Sequence, residues 1–106
     1  MTRLSRSMTP ELSIVIPVYN ESPNIKRLYD ELTEVLGHYG RSYELVIVDD
    51  GSRDDTFEQL AAFQARDPRL RVIRFRRNFG QTSAFSAGIA YARGRLVVLS
   101  DGDLQN

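Results

Sequence analysis

Two aspartates near the end of the chain have the spacing of a metal site. Asp101 and Asp103 follow the apolar run Leu96–Leu99 and are separated by Gly102. In an extended chain, residues i and i+2 point in the same direction, so both carboxylates can reach one divalent cation. The alternative is an acidic turn after a strand, since aspartate and glycine are common turn residues. The spacing alone leaves both interpretations open.

A second acidic pair, Asp49 and Asp50, stands directly before Gly51, which permits a tight turn. A carboxylate at this position can accept a hydrogen bond from a ribose hydroxyl or from a base N–H. The alternative is that Asp50 and Ser52 only cap the helix that follows. We favour a cap for Ser52 and a ligand-binding role for the two aspartates, because the acids gather at one sheet edge.

Two further features carry alternatives. Tyr19 could stack on a base or be a half-buried core tyrosine. The arginines of the segment 74–77 (Arg74, Arg76 and Arg77) could contact phosphate, although a solvated basic loop is the commoner outcome.

Near-continuous apolar runs predict four strands. They cover 13–18, 43–48, 70–75 and a run that begins at about Arg95. We expect the last of them, Leu96–Leu99, to be buried on both faces. The third strand is broken by Arg71 and Arg74, which predicts a position at or near a sheet edge. Pro17 cannot donate a hydrogen bond, so pairing on one side of the first strand should end at about that residue.

Helical spacing predicts three helices between these strands. The first begins at Ser22-Pro23 and ends at Gly37 and Gly40, with an apolar stripe of Ile25, Leu28, Tyr29, Leu32, Val35 and Leu36. The second begins at a capping box of Ser52 and Asp55, ends at Asp67-Pro68, and turns Phe57, Leu60, Ala61 and Phe63 inward. The third follows the loop 76–81, is rich in small residues that allow close approach to the sheet, and is capped by Gly94.

Strands and helices that alternate through short connections predict an α/β fold with a Rossmann-like parallel sheet. In such a sheet the strand ends that carry Glu21, the Asp49–Asp50 pair and the Asp101–Asp103 pair all lie at the carboxyl edge. Open α/β sheets bind their ligands at that edge.

Composition narrows the class of protein. With 106 residues the chain forms one domain at most, and its formal net charge of zero provides no field that would attract nucleic acid. The absence of cysteine excludes disulfides and thiolate metal sites and fits a reducing compartment. The sequence shows no signal peptide and no apolar stretch of transmembrane length. We therefore expect a cytoplasmic location and no nucleic-acid partner.

Several familiar sites are missing from the sequence. It contains no G-x-G-x-x-G, no P-loop and no G-x-S-x-G nucleophile elbow. A phospho-acceptor signalling module would need a lysine at the end of a later strand, whereas the only lysine, Lys26, lies in the first predicted helix. A non-catalytic nucleotide-binding module remains an open alternative.

Four segments together resemble glycosyltransferase family 2, and most closely its dolichol-phosphate mannosyltransferase and polyprenyl-phosphate glycosyltransferase branch. They are Ile16-Pro17-Val18-Tyr19-Asn20-Glu21, Val48-Asp49-Asp50-Gly51-Ser52-Arg53-Asp54, Arg77-Asn78-Phe79-Gly80-Gln81 and Asp101-Gly102-Asp103-Leu104-Gln105. The resemblance covers nearly all of the chain after Pro10. It implies the nucleotide-binding half of a GT-A fold, over 11–106, truncated at its carboxyl end and preceded by a disordered tail over 1–10.

The resemblance also implies roles for individual residues. The nucleotide-sugar site would comprise Pro17, Tyr19, Glu21, Asp49, Asp50, Gln81 and Asp101. Asp101, Asp103 and Gln105 would form the D-x-D metal site for Mg²⁺ or Mn²⁺. The family more often has alanine where this chain has Gly102, which should be tolerated, and its polyprenyl branch usually has aspartate where Asn106 stands.

The activity implied is a metal-dependent, inverting transfer of a sugar from a GDP- or UDP-sugar to a polyprenyl or dolichyl phosphate. Peripheral association with the cytoplasmic face of a membrane is compatible with such an acceptor. The alternatives are a family 2 transferase with another glycan acceptor and a catalytically incomplete nucleotide-binding module. The resemblance places the catalytic residues in a second half, so we expect the 106 residues to be inactive alone.

Overall fold

The computed structural model describes residues 9–101, which form a parallel β-sheet with helices against it. The elements are β1 (Leu12–Val18), a 3-10 turn (Ser22–Asn24), α1 (Ile25–Tyr39), β2 (Tyr43–Asp49), α2 (Thr56–Arg66), β3 (Leu70–Arg74), α3 (Gln81–Tyr91) and β4 (Leu96–Leu99). This alternation and the parallel pairing of all four strands confirm the predicted α/β class.

The strand order is β3-β2-β1-β4, so the chain reverses its direction of travel across the sheet between β3 and β4. β3 lies at an edge of the described sheet, as Arg71 and Arg74 predicted. The register of β1 with β2 continues to Val18 and Asp49, whereas its register with β4 ends at Val15 and Leu99. Pairing on one side of β1 therefore ends just before Pro17, as expected from its missing N–H.

Alternate residues of β1 and β2 form the core with α1 and α2. This cluster comprises Leu12, Ile14, Ile16, Val18, Ile25, Leu28, Leu32, Leu36, Tyr43, Leu45, Ile47, Leu60 and Leu70. On the other face α3 packs against β1 and β2. The approach is close, because a Cβ on Gly88 would lie 2.1 Å from Cγ1 of Val15. The small residues of α3 thus have the packing role that the sequence predicted.

β4 differs from its prediction, because all four of its side chains are exposed, from 41% for Val97 to 61% for Leu96. The prediction of a strand buried on both faces was wrong for the structure described. β1 and β2 are buried because α1, α2 and α3 cover their two faces. β4 lies at the end of the described sheet, beyond the residues that these helices cover.

Neither of the two predicted amino-terminal helix caps is formed. Ser22 begins the 3-10 turn, makes no side-chain cap, and donates its hydroxyl hydrogen to Oδ1 of Asp55. Ser52 and Asp55 make no capping box, because α2 begins three residues later than predicted, after Asp55. Ser22 and Ser52 instead form hydrogen bonds across the junction between the loops after β1 and β2, Ser22 with Asp55 and Ser52 with Asn20.

Other predicted boundaries shift slightly. α1 passes through Gly37 and ends at Tyr39, and the following Gly40, with φ of 79°, provides the left-handed cap. Val35, which we placed on the apolar stripe, is 66% exposed. Gly94 does not cap α3, which ends at Tyr91; instead a Cβ on Gly94 would lie 2.7 Å from the Ser13 backbone nitrogen.

The fold also includes Pro10, which the sequence assigned to the tail. Pro10 is buried, and its carbonyl accepts a hydrogen bond from the Arg95 amide. The rest of the predicted tail that precedes Thr9 lies outside the described residues. Within residues 9–101, no helix has the length and apolar character needed to span a membrane.

Candidate functional site

A cleft of about 330 Å³ opens at the carboxyl edge of the sheet. Its walls come from the end of β1, the residue after β2 and the start of α3, and they comprise Pro17, Val18, Tyr19, Asp50, Asn78, Gly80 and Gln81. Four of the seven residues predicted for a nucleotide-sugar site are therefore together in one place: Pro17, Tyr19, Asp50 and Gln81. The cleft lies next to the point where the strand order reverses, which is where open α/β sheets bind ligands.

Tyr19 presents its ring at this cleft. It is 41% exposed, so it is not the core tyrosine that the sequence allowed as an alternative. The next residue, Asn20, has a left-handed backbone with φ of 51°, a conformation in which asparagine is enriched. This turn ends the extended chain of β1 and leaves the Tyr19 side chain on the cleft wall.

Asp50 is the most densely hydrogen-bonded acid of the cleft. It is 4% exposed. Its Oδ1 accepts from the Phe79 amide at 2.8 Å, and its Oδ2 accepts from the Gly80 amide at 3.0 Å and from Nδ2 of Asn78 at 3.0 Å. A carboxylate has about four acceptor positions. Asp50 can therefore accept one more donor, such as a ligand N–H or O–H.

Asp49 lies beside Asp50 in sequence but outside the residues that line the cleft. It is fully buried, and its Oδ1 accepts from the Ser52 amide at 3.0 Å. Its Oδ2 is also buried and has no hydrogen-bond partner among residues 9–101. Asp49 therefore has an unused acceptor position at the base of the loop after β2. A buried carboxylate oxygen without a partner costs free energy.

Glu21 and Asp101 also lie outside the cleft lining. Oε1 of Glu21 accepts from Nδ2 of Asn24 at 2.9 Å, so this acid helps to close the turn before α1. Asp101 follows β4 and is exposed. Because β4 pairs with the side of β1 opposite to β2, Asp101 is at the same sheet edge as Asp50, across β1 from it.

The predicted metal ligands are only partly described. Asp103 and Gln105 lie outside the described residues, and Asp101 is the one predicted ligand within them. Between residues 9 and 101 there is no group of three or more His, Cys, Asp or Glu side chains able to hold a metal ion. The three predicted ligands would offer hard oxygen atoms, which suit Mg²⁺ or Mn²⁺.

The loops after β1 and β2 are joined by hydrogen bonds that the sequence did not predict. The Asn20 amide donates to Oγ of Ser52 at 2.8 Å, and Oδ1 of Asn20 accepts from the Arg53 amide at 2.8 Å. The Glu21 amide donates to Oγ1 of Thr56 at 2.9 Å. These bonds fix the Tyr19 loop to the start of α2. Only the high frequency of Asn, Ser and Thr in both loops was a sequence signal for them.

Asp54 and Asp55 complete this junction. A hydrogen bond from the Thr56 hydroxyl lowers the pKa of the Asp54 carboxyl, and one from the Ser22 hydroxyl, followed by one from Gln59, lowers the pKa of Asp55. Both acids are therefore ionised at neutral pH, and each accepts hydrogen bonds from Ser22 and from a residue of α2.

The arginines after β3 do not line the cleft. The guanidinium of Arg74 lies 4.2 Å from the centre of the Phe57 ring, and that of Arg77 lies 4.5 Å from the centre of the Phe79 ring. These cation–π contacts hold two of the three arginines on the protein surface. They favour the solvated basic loop over a phosphate site.

Comparison with known proteins identifies the family of the chain and its fold. The sequence model of the family Glycosyl transferase family 2 matches residues 13–106. The chain belongs to glycosyltransferase family 2. An uncharacterized glycosyltransferase of Synechocystis is 46% identical over 99 residues, which are 93% of this chain and 31% of that protein. The dodecaprenyl-phosphate galacturonate synthase of Rhizobium johnstonii is 43% identical over 97 residues, 91% of this chain and 29% of that protein.

Solved structures of GT-A glycosyltransferases share the same architecture. A mannosyltransferase from Pyrobaculum calidifontis, in complex with GDP-Man and Mn²⁺, superposes with a TM-score of 0.73 at 25% identity, covering 92% of this chain and 28% of that one. Residues 1–349 of S. aureus TarS, in complex with UDP-GlcNAc, superpose with a TM-score of 0.71 at 26% identity, over 88% of this chain and 26% of that one. The predicted GT-A type of fold is thereby confirmed.

Proposed function

We propose that the protein transfers a sugar from a nucleotide-diphosphate sugar to a polyprenyl phosphate. The observation that carries the donor half of this proposal is the cleft that brings Tyr19, Asp50 and Gln81 together at the carboxyl edge of the sheet. The acceptor half rests on the 43% identity to a dodecaprenyl-phosphate galacturonate synthase. The chain spans 29–31% of these relatives, so the proposal concerns the full-length protein.

The cleft suits the nucleoside part of the donor. Its volume of about 330 Å³ lies at the lower end of the range for ligand pockets, roughly 300–1,000 Å³, and is small for a whole nucleotide sugar. Tyr19 offers an aromatic face on which a base can stack. Pro17 provides an apolar wall, and Gln81 provides both donor and acceptor atoms at the start of α3.

Charge also favours the nucleoside over the diphosphate at Asp50. Asp50 forms no ion pair within residues 9–101, so its negative charge would repel an anionic diphosphate. A neutral base or ribose carries no such penalty, and its N–H or O–H can use the remaining acceptor position of Asp50. Glu21 would support the turn that carries Tyr19, through its bond to Asn24.

The diphosphate would then lie toward the end of β4, where Asp101, Asp103 and Gln105 would hold Mg²⁺ or Mn²⁺. A divalent cation bound there would neutralise charge on the leaving diphosphate. The P. calidifontis mannosyltransferase that shares this fold was solved with GDP-Man and Mn²⁺, which supports the assignment.

The reaction would be a single displacement with inversion. A phosphate oxygen of the polyprenyl phosphate forms the new bond to the anomeric carbon as the bond to the diphosphate breaks, and the nucleoside diphosphate leaves. Because the acceptor oxygen is already anionic, positioning contributes more than proton removal. We place this reaction at the cytoplasmic face of a membrane, with the protein associated peripherally.

The test is a titration of the full-length protein with GDP-Man, UDP-GlcNAc and UDP-galacturonate, with and without Mn²⁺, followed by an assay with polyprenyl phosphate. We expect binding of one donor that strengthens with Mn²⁺ and weakens about tenfold or more in Asp103→Ala, since a lost metal ligand removes a charge-assisted contact. Asp30→Ala is the control, because Asp30 is an exposed aspartate on α1 paired with Lys26.

The possible failures are distinct. Binding that is indifferent to Mn²⁺ and to Asp103→Ala would contradict the metal site. Transfer to another glycan and not to polyprenyl phosphate would contradict the acceptor. Absence of any nucleotide binding would contradict the proposal as a whole.

A further inference from the structure

The segment Arg77–Gly80 is the last part of the connection between β3 and α3 and forms one wall of the cleft. Asn78 and Gly80 both line it, and the segment has no helix or strand of its own. Since no regular hydrogen-bond ladder holds these residues, some other contact must fix their position. The segment also sets where α3 begins, because Gln81 follows it directly.

Asp50 provides that contact. Its carboxylate accepts from the Asn78 side chain and from the amides of Phe79 and Gly80, all within 2.8–3.0 Å. Nδ2 of Asn78 also lies 3.3 Å from the Asp50 carbonyl oxygen. Hydrogen bonds from N–H groups to a carboxylate are of the stronger, charge-assisted kind. One buried carboxylate thus binds three successive residues of the cleft wall.

Gly51 allows the turn after β2 to come into close contact with the segment Arg77–Gly80. A Cβ on Gly51 would lie 2.2 Å from the carbonyl carbon of Arg77 and 2.5 Å from the Asn78 nitrogen. The φ of Gly51 is 79°, in the left-handed region that glycine favours. The turn after β2 and the segment Arg77–Gly80 are therefore in direct backbone contact, with Asp50 as the hydrogen-bonding part of that contact.

We infer that Asp50 is a positioning residue: it promotes binding of the donor nucleotide chiefly because it holds Asn78, Phe79 and Gly80 in place as the cleft wall. This inference rests on the proposed nucleotide site and adds to it. A residue that only touched the ligand would not need three bonds to one loop. Because the loop that Asp50 holds lines the cleft, we expect the loss of these bonds to change nucleotide binding.

The experiment compares Asp50→Asn, Asn78→Ala and the double variant of the full-length protein, with UDP and GDP as the titrated ligands. Asparagine keeps the size of Asp50 but loses its charge and turns an N–H toward the loop amides. We expect Asp50→Asn to weaken nucleotide binding about tenfold or more. The double variant should bind nearly as Asp50→Asn does, because the Asn78 contact acts through Asp50.

A second readout separates positioning from simple ligand contact. In the protein without nucleotide, hydrogen exchange at the Phe79 and Gly80 amides should be faster in Asp50→Asn than in the wild type, because these amides lose their acceptor. If Asp50→Asn does not fold, Asn78→Ala carries the test, since Asn78 is exposed. We then expect weaker nucleotide binding together with faster exchange at Phe79 and Gly80.

The control is Glu44→Gln, which alters a buried carboxylate near the opposite end of β2 and leaves the loop untouched. It should leave both nucleotide affinity and exchange at Phe79 and Gly80 unchanged in the folded protein. Unchanged exchange in Asp50→Asn, or losses of affinity that multiply in the double variant, would overturn the inference while leaving the nucleotide site intact. Absence of UDP and GDP binding in the wild type would overturn the site itself, and the inference with it.

Discussion

The two ends of β2 each carry a buried carboxylate, and the two are satisfied in opposite ways. Glu44, near the amino end, is 2% exposed and forms ion pairs with Arg71 at 3.0 Å and Arg93 at 3.2 Å. It also accepts from the Ser13 hydroxyl at 2.6 Å. Asp50, just past the carboxyl end, is 4% exposed and accepts only from neutral donors within the described chain.

This difference indicates that the amino end of β2 contributes to stability and that its carboxyl end contributes to ligand binding. At the amino edge, positive charge compensates Glu44, and the Arg93 amide ties the α3–β4 connection to β2. At the carboxyl edge no cation between residues 9 and 101 pairs with Asp50, and its remaining acceptor position is left for a ligand. Hydrogen bonds there shape a cleft wall instead of closing the edge. We therefore expect substitutions at the amino edge to change stability, and those at the carboxyl edge to change binding.

The largest effect should come from Glu44→Ala. Removing one partner of a buried ion pair typically costs about 3–5 kcal/mol, and we expect the lower end because Arg71 and Arg93 reach solvent. Urea unfolding measures this cost. Glu34→Ala, an exposed position on α1, should change stability by less than about 0.5 kcal/mol. A small cost for Glu44→Ala would mean that the amino edge is not held by this network.

Gly51→Ala should be the next largest and should affect both stability and binding. Its Cβ would lie 2.2 Å from Arg77, and φ of 79° disfavours alanine, so we expect a cost of about 1–3 kcal/mol and a weaker nucleotide affinity. Gly37→Ala is the matched control, because nothing lies within 4 Å of its Cβ position in α1. Gly37→Ala should stabilise by about 0.5–1 kcal/mol in thermal unfolding. Equal effects at both glycines would contradict the tight junction.

Tyr19→Ala tests nucleotide binding in the cleft and leaves the buried acids unchanged. Loss of a base-stacking ring typically costs about 1–3 kcal/mol of binding free energy, and calorimetric titration with UDP and GDP would measure it. Stability should hardly change, since Tyr19 is 41% exposed. Tyr39→Ala, at an equally exposed tyrosine that ends α1, should leave affinity unchanged. A loss of affinity in Tyr39→Ala but not in Tyr19→Ala would show that the nucleotide does not bind at the carboxyl edge.

The smallest effect concerns pH at the amino edge. Burial raises the pKa of Glu44, but hydrogen bonds from Ser13, Arg93 and Arg71 outweigh it, so the pKa is lowered from its ordinary value of 4.5. A lowered carboxyl pKa adds stability above that ordinary value, and this stability is lost as pH falls through the folded value. Urea unfolding from pH 7 to pH 3 should therefore show a steeper loss in the wild type than in Glu44→Gln. Parallel curves would contradict this contribution of Glu44.

The sequence predicted the strands and helices that carry the site better than the contacts within it. Alternating patterns predicted the parallel sheet, the edge position of β3 and the acids at the carboxyl edge. The burial of Leu96–Leu99 was mispredicted, because an apolar run indicates that a strand can be buried but not that the described chain covers it. Ser52 was assigned to a helix cap, whereas its hydroxyl accepts from the Asn20 amide.

The contacts that shape the cleft join residues far apart in sequence, which local patterns do not pair. Asp50 and Gly80 are separated by 30 positions. Nothing in the segment Arg77–Gly80 indicates which acid it will meet. Glu44 did leave a signal, since a charged residue inside a buried apolar strand must be paired, but its partners Arg71 and Arg93 follow only from the fold.

The most direct test of the difference between the two edges is an amide NMR titration of the full-length protein with UDP and GDP. Our prediction is that chemical shifts change at Tyr19, Asp50 and the segment Phe79–Gln81 and do not change at Ser13, Glu44 and Arg93. Changes centred on Ser13, Glu44 and Arg93, with the carboxyl edge unaffected, would contradict it.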